Sequence, residues 1–414
     1  MPYYISGVTA DWHALIGRTP EEFASKNNIQ VKVRHAVTEI DAANKKVKVE
    51  DLEGGREFWD TYDRLVVATG ATPFVPPLPG RDLPGVFVLR SLTDALAIKT
   101  YLERYHPRRA TIVGAGGIGL EMCESLRLLG IEVDLVEKAA QVMPIFGTDI
   151  SEAIRSYLEE QGVTCHLGQG VLGMEARNGK IALLETEAHR LQTDLVLLSL
   201  GVKPSAELAQ AAGIELGVAG AIRVDESMRT NLPDVFAAGD CITTRHLVTG
   251  EEAWIPLGDH ARKQGRVAGS NVFGGQATFR GVQGTVIVKS FNLTVGKTGL
   301  TGSEAERAGI ASETVTLTHD AKPTYYPGYA QMTAKVTADK KTRQLVGAQI
   351  IGELNAVVDK RLDVLSVCIR AGFTVKDIEE LDLAYAPPYS HAIDMPITAA
   401  NLLSAKLGGD ICSC

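Results

Sequence analysis

Long apolar segments are missing from this sequence, and so is any excess of positive charge. No apolar run approaches the roughly 20 residues of a transmembrane helix, so we expect no membrane span. The formal net charge is −8 at pH 7, which argues against nucleic acid as the main partner because phosphate binding requires a basic surface. The first residues show no basic segment followed by an apolar one, so the cytoplasm is the expected compartment.

Cysteine is sparse as well. Six cysteines are scattered along 414 residues, too few and too dispersed for a disulfide scaffold. Cys123, Cys165 and Cys368 stand among apolar residues and are interpreted as small core side chains. A terminal pair such as Cys412 and Cys414 can be redox-active or bind metal, but a chain end without function is the favoured interpretation, and we expect no metal site.

Aromatic residues make up only 6% of the chain, against 45% hydrophobic and 22% charged residues. This is the profile of a globular protein. A chain of 414 residues exceeds the usual size of a single hydrophobic core, so we expect two or three domains.

The strongest local signal is the segment ATIVGAGGIGLEMCESLRLLGIEVDLVEK, which begins at Ala110. A short apolar strand at 111–113 is followed by glycines at GxGxxG spacing and by helical periodicity over 118–129. Such glycines allow a tight turn, a close approach of the backbone to a pyrophosphate and packing of helix on strand, with the phosphates at the helix N-terminus. We therefore predict a dinucleotide site at Gly114, Gly116, Gly117, Ile118 and Gly119.

A second predicted strand, at 132–136, leads into an acidic residue, Glu137. A carboxylate in this place accepts hydrogen bonds from ribose hydroxyls and repels a 2′-phosphate. NADH is therefore favoured over NADPH. The adjacent Lys138 weakens that preference without reversing it, so NADPH is not excluded.

Two segments of the chain repeat one pattern. YDRLVVATGATP at 62–73 and TDLVLLSLGVKP at 193–204 each carry an Asp, an apolar strand, a Gly and a Pro three residues later. Thr69 and Gly70 lie in the first segment and Gly201 in the second. We interpret the pattern as two doubly wound domains on one plan, the alternative being a coincidence of two buried strands.

A third segment, TNLPDVFAAGDC at 230–241, contains an apolar strand that ends in Gly239 and Asp240. An Asp at the end of a strand, after a Gly that allows close approach, suits a sugar or ribityl hydroxyl. An ordinary Gly-Asp turn is the alternative.

LVVATGA, VGAGGIGLE and VFAAGD, in this order and spacing, resemble the pyridine nucleotide-disulfide oxidoreductases. The resemblance implies an α/β fold with two interleaved doubly wound, Rossmann-like nucleotide-binding domains and a C-terminal α+β dimerisation domain. It places an FAD-binding domain at 1–92 and 213–277, an NAD(P)H-binding domain at 93–212 and the dimerisation domain at 278–414. Thr69, Gly70, Gly239 and Asp240 would then serve FAD. Asp240 would hold the ribityl chain, and the helix carrying Ala261 and Lys263 would face the isoalloxazine.

The C-terminal part narrows the resemblance to one branch. GTVIVKSFNLTVGKTGL, YYPGYAQMTAKV, LVGAQIIGE, DKRLDVLSVCIRAG and DLAYAPPYS resemble coenzyme A-disulfide reductases, NADH oxidases and NADH peroxidases. From the residues themselves, 278–350 predicts strands and turns, and 355–372 predicts an amphipathic helix with Val358, Leu362, Leu365 and Ile369 on one face. The resemblance implies a homodimer.

The opening residues PYYISG resemble the stretch that directly follows the redox cysteine in this branch. By that comparison, the redox cysteine, the first FAD strand with its Gly-rich turn and the acid that binds the adenosine ribose are expected to be absent. A deletion and a misplaced start, with Met1 read from an internal Leu codon, are the two explanations, and the Met-for-Leu coincidence favours the second. We accordingly expect weak or no FAD binding and poor folding outside the NAD and interface domains.

The resemblance also implies roles in catalysis. NADH would pass hydride to FAD, which would reduce an oxidised cysteine that turns over on substrate. Glu121 would lie near the nicotinamide, the alternative being a first-turn acid favoured by the helix dipole. Tyr385 and Tyr389 would reach the partner subunit's active site, the alternative being aromatics packed under the prolines.

Tyr325 and Tyr326 are weaker candidates for side chains that reach the partner subunit's active site.

Two residues depart from the pattern of this branch. Gly117 stands where many relatives have a Tyr that gates the nicotinamide pocket. Ile393 stands where coenzyme A-disulfide reductases have a Lys that helps bind coenzyme A.

The leading interpretation is an FAD-dependent NAD(P)H oxidoreductase resembling coenzyme A-disulfide reductase, with a disulfide, persulfide, polysulfide or oxygen as acceptor. NADH oxidase or peroxidase activity is one alternative. A non-catalytic NADH-binding remnant is another, if the chain starts at Met1.

Overall fold

A computed structural model describes residues 1–408 of the chain. Cys412 and Cys414, and with them the prediction about the terminal pair, lie outside the described residues. The chain divides into two compact units: the first comprises Met1–Val8, Val75–Gly201 and the part from Gln283 onward, and the second comprises Thr9–Phe74 and Val202–Val282. Between residues 1 and 408, no helix is both long enough and apolar enough to cross a lipid bilayer.

Strands and helices are numbered here along the chain. The first unit contains a parallel sheet of β6 (Val86–Phe87), β7 (Arg109–Val113), β8 (Glu132–Glu137), β9 (Val163–Leu167) and β13 (Leu195–Leu198). The strand order is β6-β13-β7-β8-β9, and every neighbouring pair is parallel. Strands β13 and β7, inside the sheet, are almost entirely buried, as expected when both faces of a parallel sheet are covered.

Helices of this region are α1 (Pro2–Ile5), α3 (Leu92–Tyr105), α4 (Gly117–Leu128) and α5 (Thr148–Glu160). Ser91 and Asp94 form a capping box that starts α3. Gly130, with φ of 77°, follows the end of α4 in the left-handed conformation that glycine tolerates. The local order of strand, glycine turn, helix and strand over 109–137 is the one that the sequence predicts.

A small antiparallel sheet covers one side of the parallel sheet. It consists of β10 (Val171–Arg177), β11 (Lys180–Thr186) and β12 (Arg190–Gln192), in that order. Met174, Ile181 and Leu184 of this sheet share a core with Val113 and Val196 of the parallel strands.

The C-terminal part of the first unit is an antiparallel sheet with helices. The strands are β18 (Val286–Ser290), β19 (Leu293–Gly299), β20 (Ser312–Asp320), β21 (Gln331–Asp339) and β22 (Leu345–Glu353), in the order β18-β19-β22-β21-β20. The helices are α8 (Gly302–Arg307), α9 (Val358–Ala371), α10 (Val375–Glu379) and α11 (Met395–Lys406), with a 3₁₀ turn at Leu354–Ala356. Helix α9 packs on β19 and β22, and α11 packs on β20.

The predicted apolar face of α9 is confirmed, because Val358, Leu362, Leu365 and Ile369 are all buried. The prediction of strands and turns over 278–350 is wrong at α8. Thr301 and Glu304 form a capping box there that starts a short helix between β19 and β20.

The second unit is built of small sheets and three helices. Its strands are β1 (His35–Asp41), β2 (Lys46–Asp51), β3 (Arg56–Thr61), β4 (Leu65–Val67), β5 (Ala71–Pro73), β14 (Val202–Pro204), β15 (Val235–Ala237), β16 (Thr244–Arg245) and β17 (Glu252–Ala253). Its helices are α2 (Pro20–Asn27), α6 (Glu207–Ala211) and α7 (Gly258–Val272), with 3₁₀ turns at Trp12–Leu15 and Val218–Gly220. Strands β1 to β3 form an antiparallel sheet, and β4 pairs with β15 in parallel.

Both repeated sequence segments form a strand with a parallel neighbour. Strand β13 lies in the parallel sheet of the first unit, and β4 pairs in parallel with β15 in the second. The residues after these strands form β14 and β5, which pair with each other antiparallel. The predicted domain boundaries at 92/93, 212/213 and 277/278 concern function, whereas the two compact units are defined by contacts within the chain. These boundaries stay a prediction.

Candidate dinucleotide-binding site

The glycine turn after β7 leaves no room for side chains at two of its positions. Gly114 has φ of 105°, and a Cβ there would lie 2.2 Å from the carbonyl oxygen of Ser199. A Cβ on Gly119 would lie 2.1 Å from the carbonyl oxygen of Gly114. These contacts bring strand, turn and helix together, so both glycines are sterically required.

Gly116 is different, because a Cβ there would meet no atom within 4 Å. It is the N-cap of α4 and provides no side-chain cap, so the first N–H groups of this 12-residue helix are open to a ligand. The N-terminus of a helix favours negative charge. The turn therefore fits a dinucleotide pyrophosphate at Gly116 and Gly117, while Ile118 is partly exposed on the first turn.

Glu137 closes the site from the end of β8. Its Oε2 accepts a hydrogen bond from the Ala115 N–H at 2.8 Å, and its Oε1 accepts one from the Ala139 N–H at 2.7 Å. The carboxylate is thus held by the backbone of the turn itself, and each oxygen keeps a lone pair for a ribose hydroxyl. Lys138 is exposed beside it.

A second GxGxxG spacing occurs at 168–173, and it shows that the spacing alone does not make a dinucleotide site. Gly168, Gly170 and Gly173 lead from β9 into the strand β10, not into a helix. Without a helix N-terminus, the spacing presents no array of open N–H donors.

The residues predicted to bind FAD lie in the second unit. Two of them, Gly239 and Asp240, follow the end of β15. Gly239 has φ of 92°, and its N–H donates to Gln264 Oε1 of α7 at 3.1 Å. A Cβ on Gly239 would lie 3.7 Å from the Cβ of Ala261, so the helix approaches the strand end closely. Asp240 follows, and its carbonyl oxygen accepts from Trp254 Nε1 at 2.8 Å. This corner fits the ribityl chain and ring side of a flavin.

The other predicted cofactor-binding residues take varied positions: Thr69, Gly70 and Lys263, predicted for FAD, lie in the second unit, and Gly201 lies in the first. The Thr69 hydroxyl donates to the carbonyl oxygen of Ser205, and Gly70 has φ of 70° after β4. Lys263 is exposed on α7 and binds Asp259 at 3.0 Å. Gly201, with φ of 88°, ends the strand region after β13 in the first unit.

Glu121 lies one turn into α4, and burial raises the pKa of its carboxyl group. Glu124, one turn further along α4, is buried and binds Lys289 of β18. This ion pair escapes sequence reasoning because its members are 165 positions apart. An acid among the mainly apolar residues of α4 is the one signal that points to such a partner.

The tyrosine candidates lie on two loops of the C-terminal part. Tyr385, Tyr389 and Tyr325 are exposed, whereas Tyr326 is partly buried. Ile393, also exposed, follows on the Tyr389 loop.

A fully buried arginine, Arg361 of α9, joins the two tyrosine loops. Its guanidinium binds the carboxylate of Asp394 at 3.0 Å and donates to the carbonyl oxygens of Ala321 at 2.9 Å and Tyr389 at 3.5 Å. Sequence reasoning missed this residue.

The prediction of core side chains holds for Cys123 and Cys368, which are buried, and is wrong for Cys165, which is only partly buried on β9. All three thiols are expected to be poor nucleophiles. Burial raises the pKa of Cys165 and of Cys368 to about 11, and it raises the pKa of Cys123 further. Among residues 1–408, no group of three or more His, Cys, Asp or Glu side chains is arranged to hold a metal ion.

Comparison with known proteins covers almost the whole chain. Residues 4–265 match the pyridine nucleotide-disulphide oxidoreductase family, and residues 285–396 match the dimerisation domain of that family. An NAD(P)H sulfur oxidoreductase (CoA-dependent) from Pyrococcus furiosus is 37% identical over 97% of this chain and 89% of that protein. An NADH oxidase from Methanocaldococcus jannaschii is 35% identical over 94% of this chain and 86% of that protein.

Among solved structures, an NAD-dependent persulfide reductase from A. fulgidus superimposes with a TM-score of 0.94 at 37% identity, covering 98% of this chain and 76% of that one. The predicted α/β fold with a C-terminal dimerisation domain is thereby confirmed. The chain belongs to the pyridine nucleotide-disulphide oxidoreductase family.

Proposed function

We propose that this NAD(P)H-dependent flavoprotein oxidoreductase takes electrons from NADH and reduces a small-molecule disulfide or persulfide. The observation that carries the proposal is the glycine turn at 114–119, which has an open helix N-terminus on one side and the backbone-held carboxylate of Glu137 on the other. A fixed negative charge at the ribose position favours NADH over NADPH.

The residues of this chain bind and orient the two nucleotides. The open N–H groups at Gly116 and Gly117 would hold the NADH pyrophosphate, and Glu137 would hold the adenosine ribose. FAD, when bound, would accept hydride from NADH and pass two electrons on. Asp240 would bind its ribityl hydroxyls, with Ala261 beside the ring side of that corner.

Glu121, as a partly buried acid near the turn, would hold a proton close to the nicotinamide. Thr69, Gly70, Gly201 and Lys263 complete the proposed cofactor contacts. The proposed domain boundaries remain 1–92 with 213–277 for FAD, 93–212 for NADH and 278–414 for dimerisation.

A disulfide or persulfide is the proposed acceptor class because relatives of this chain carry the names sulfur oxidoreductase and persulfide reductase. In the overall reaction, NADH gives up a hydride, one proton comes from solvent, and one S–S bond is replaced by two S–H bonds. Tyr385 and Tyr389 are the proposed proton-donating or thiolate-orienting side chains, acting on the partner subunit's site.

Oxygen is the second candidate acceptor, and the name of the Methanocaldococcus jannaschii relative, NADH oxidase, favours it. Gly117 adds to this candidate, because it provides no side chain where many relatives have a Tyr that gates the nicotinamide pocket. The proposed compartment is the cytoplasm, since the free thiols of Cys123, Cys165, Cys241 and Cys368 accord with a reducing environment.

Calorimetric titration of the purified chain with NADH and with NADPH tests the dinucleotide site. We expect tighter binding of NADH, and in Glu137→Gln a loss of roughly tenfold in NADH affinity with weaker discrimination against NADPH, since the amide cannot accept from both N–H groups. Glu132→Gln, an exposed acid at the start of the same strand, is the matched control and should bind as the parent does. Equal affinity of the parent for both nucleotides would contradict the proposal.

Steady-state NADH oxidation with coenzyme A disulfide, polysulfide or oxygen tests the acceptor, with flavin absorbance recorded on the same sample. Thiol release that matches NADH consumption is the expected result. Oxygen uptake without thiol release would replace the proposal with an NADH oxidase. NADH binding without consumption of any acceptor would identify a non-catalytic NADH-binding protein.

A further inference from the structure

The C-terminal sheet contacts the dinucleotide motif from one side through β18. The Ser290 hydroxyl donates to the carbonyl oxygen of Leu120, in the first turn of α4, at 3.0 Å. A Cβ on Gly117 would lie 3.2 Å from Val288 Cγ2. Strand β18 therefore lies directly against the helix turn whose N–H groups face the pyrophosphate.

A buried ion pair strengthens this contact. Glu124 is 7% exposed and binds Lys289 of β18. Within residues 1–408, Glu124 Oε2 has no hydrogen-bond partner, so the lysine is the main compensation for the buried charge. Such a pair adds little to stability, because desolvation offsets the attraction, but it fixes the relative position of the two elements.

The same sheet contacts the motif from the other side through β21 and β22. The Gly147 N–H, at the start of α5, donates to Gln349 Oε1 at 2.6 Å. Lys335 binds both carboxylate oxygens of Asp149, in the first turn of α5, at 2.8 Å. Gln349 is almost completely buried, so the amide is held in place by packing.

This second contact leads back to the glycine turn in two short steps. The Phe146 N–H donates to the carbonyl oxygen of Met143 at 3.0 Å, and the Met143 N–H donates to the carbonyl oxygen of Ala115 at 2.9 Å. Ala115 is the residue whose own N–H binds Glu137. The sheet thus supports the turn from the α4 side and from the loop that follows β8.

We propose that the C-terminal sheet is a working part of the dinucleotide site, in which Lys289 and Gln349 are positioning residues that set the affinity for NADH. The inference rests on the proposed NADH site and adds to it. Neither residue belongs to the chain segment that carries the glycine motif, because Lys289 is on β18 and Gln349 is on β22. Each holds backbone that must be in place before the N–H groups of α4 and the carboxylate of Glu137 can bind together, and preorganisation of this kind governs affinity.

The test measures the NADH dissociation constant by calorimetry on the full chain, together with the unfolding midpoint of each variant. Gln349→Leu removes the acceptor for Gly147 at similar volume. Glu124→Gln combined with Lys289→Met removes both charges at once, so that no isolated carboxylate is left buried. We expect each to raise the dissociation constant about tenfold at temperatures well below unfolding, within the usual range of coupling between sites.

Two further variants separate positioning from general stability. Lys289→Arg keeps a cation for Glu124 and should retain affinity within about twofold of the parent. Arg155→Met lies on α5, whose N-cap is Gly147, but the ion pairs that Arg155 makes within residues 1–408 are to Glu152 and Glu159 of the same helix. This variant should leave affinity unchanged.

A lowered unfolding midpoint with an unchanged dissociation constant in Gln349→Leu and in the double variant would overturn the inference and leave the NADH site intact. A parent chain that binds no NADH would overturn the proposed function itself, and the inference with it.

Discussion

At the scale of single residues, the space around one Cβ atom decides which glycines the site requires. Gly114 and Gly119 face backbone oxygens at distances no side chain tolerates, whereas Gly116 faces open space. The backbone oxygens cannot move away as the end of a side chain can. In this motif, therefore, Gly114 and Gly119 are required by sterics, whereas Gly116 leaves an open space at the helix N-terminus.

Gly119→Ala is predicted to disrupt the turn, because the added Cβ would lie 2.1 Å from the carbonyl oxygen of Gly114. Overpacking of this kind costs about 1–3 kcal/mol of the free energy of unfolding. We expect that loss in urea denaturation and a drop of at least about tenfold in NADH affinity by calorimetry.

Gly170→Ala is the matched control, from the second GxGxxG spacing. Its Cβ would lie 3.3 Å from the end of the Glu187 side chain, which can move. Unchanged stability and NADH affinity are expected there. Equal effects of the two substitutions would contradict the steric explanation.

Glu121 is predicted to make the stability of the protein pH-dependent. Because burial raises the pKa of its carboxyl group, the folded chain binds more protons than the unfolded chain between the ordinary glutamate pKa and the raised value. Stability should therefore fall as pH rises through that window. Glu121→Gln should remove this part of the decline in urea midpoints measured from acidic to neutral pH.

The control for this measurement is Glu160→Gln, at an exposed position of α5. It should leave the pH dependence as in the parent. A decline of the same size in Glu121→Gln would show that another group titrates in this range.

At the scale of elements, one buried side chain joins two helices and two loops of the C-terminal part. Arg361 is 0% exposed, and its guanidinium also donates to the carbonyl oxygens of Ala356 at 3.0 Å and Val357 at 3.3 Å. Asp394, its carboxylate partner, accepts the Met395 N–H at 2.9 Å and so caps α11. Helices α9 and α11 and both tyrosine loops meet at this group.

Arg361→Met is predicted to destabilise the protein strongly, because it leaves the carboxylate of Asp394 buried without its main partner. Breaking a buried pair in this way costs about 3–5 kcal/mol. Urea denaturation measures the loss, and hydrogen exchange should show faster exchange in the loops at 321–330 and 384–394.

Lys376→Met provides the comparison. Lys376 is exposed and pairs with Glu379 and Glu380 on the surface, so its loss should change stability by less than about 1 kcal/mol. A similar loss of unfolding free energy in both variants would show that burial does not make the Arg361–Asp394 pair more important for stability than a surface pair.

At the scale of the whole molecule, the exposed aromatic residues of the C-terminal part call for a partner. Tyr325, Tyr385 and Tyr389 are 75%, 53% and 70% exposed in the single chain. Exposed aromatic groups in one region mark interaction surfaces, and this region matches the dimerisation domain of the family. We expect these side chains to contribute to the contact between two copies.

Replacing both Tyr385 and Tyr389 by Asp is predicted to weaken the dimer at least about tenfold, since it would bring two charges into a buried contact. Sedimentation velocity should show the parent near twice the 44.4 kDa chain mass and the variant shifted towards the monomer.

Phe273→Asp is the control, because Phe273 is 90% exposed but lies in the second unit, at the end of α7. It should sediment as the parent does. A parent that sediments as a monomer would contradict the expectation directly.

Features that depend on neighbouring residues could be predicted from the sequence, whereas contacts between distant residues could not. The strand, glycine turn and helix over 109–128 could be predicted because each depends on neighbouring residues: an apolar run, glycines and a helical period. The apolar face of α9 could be predicted for the same reason. Helix α8 was missed because its capping box, four residues long, is a weaker signal than the strand patterns on either side.

The sequence by itself determined strands β7 and β8, the glycine turn between β7 and α4, and the family, because these are encoded in short contiguous patterns. Only the tertiary structure decided what supports the turn. Glu124 meets Lys289, Gly147 meets Gln349, which is 202 positions away, and Arg361 meets Asp394. Polar groups buried far apart in sequence find partners only when sheets and helices pack, and no local pattern specifies which partner will be near.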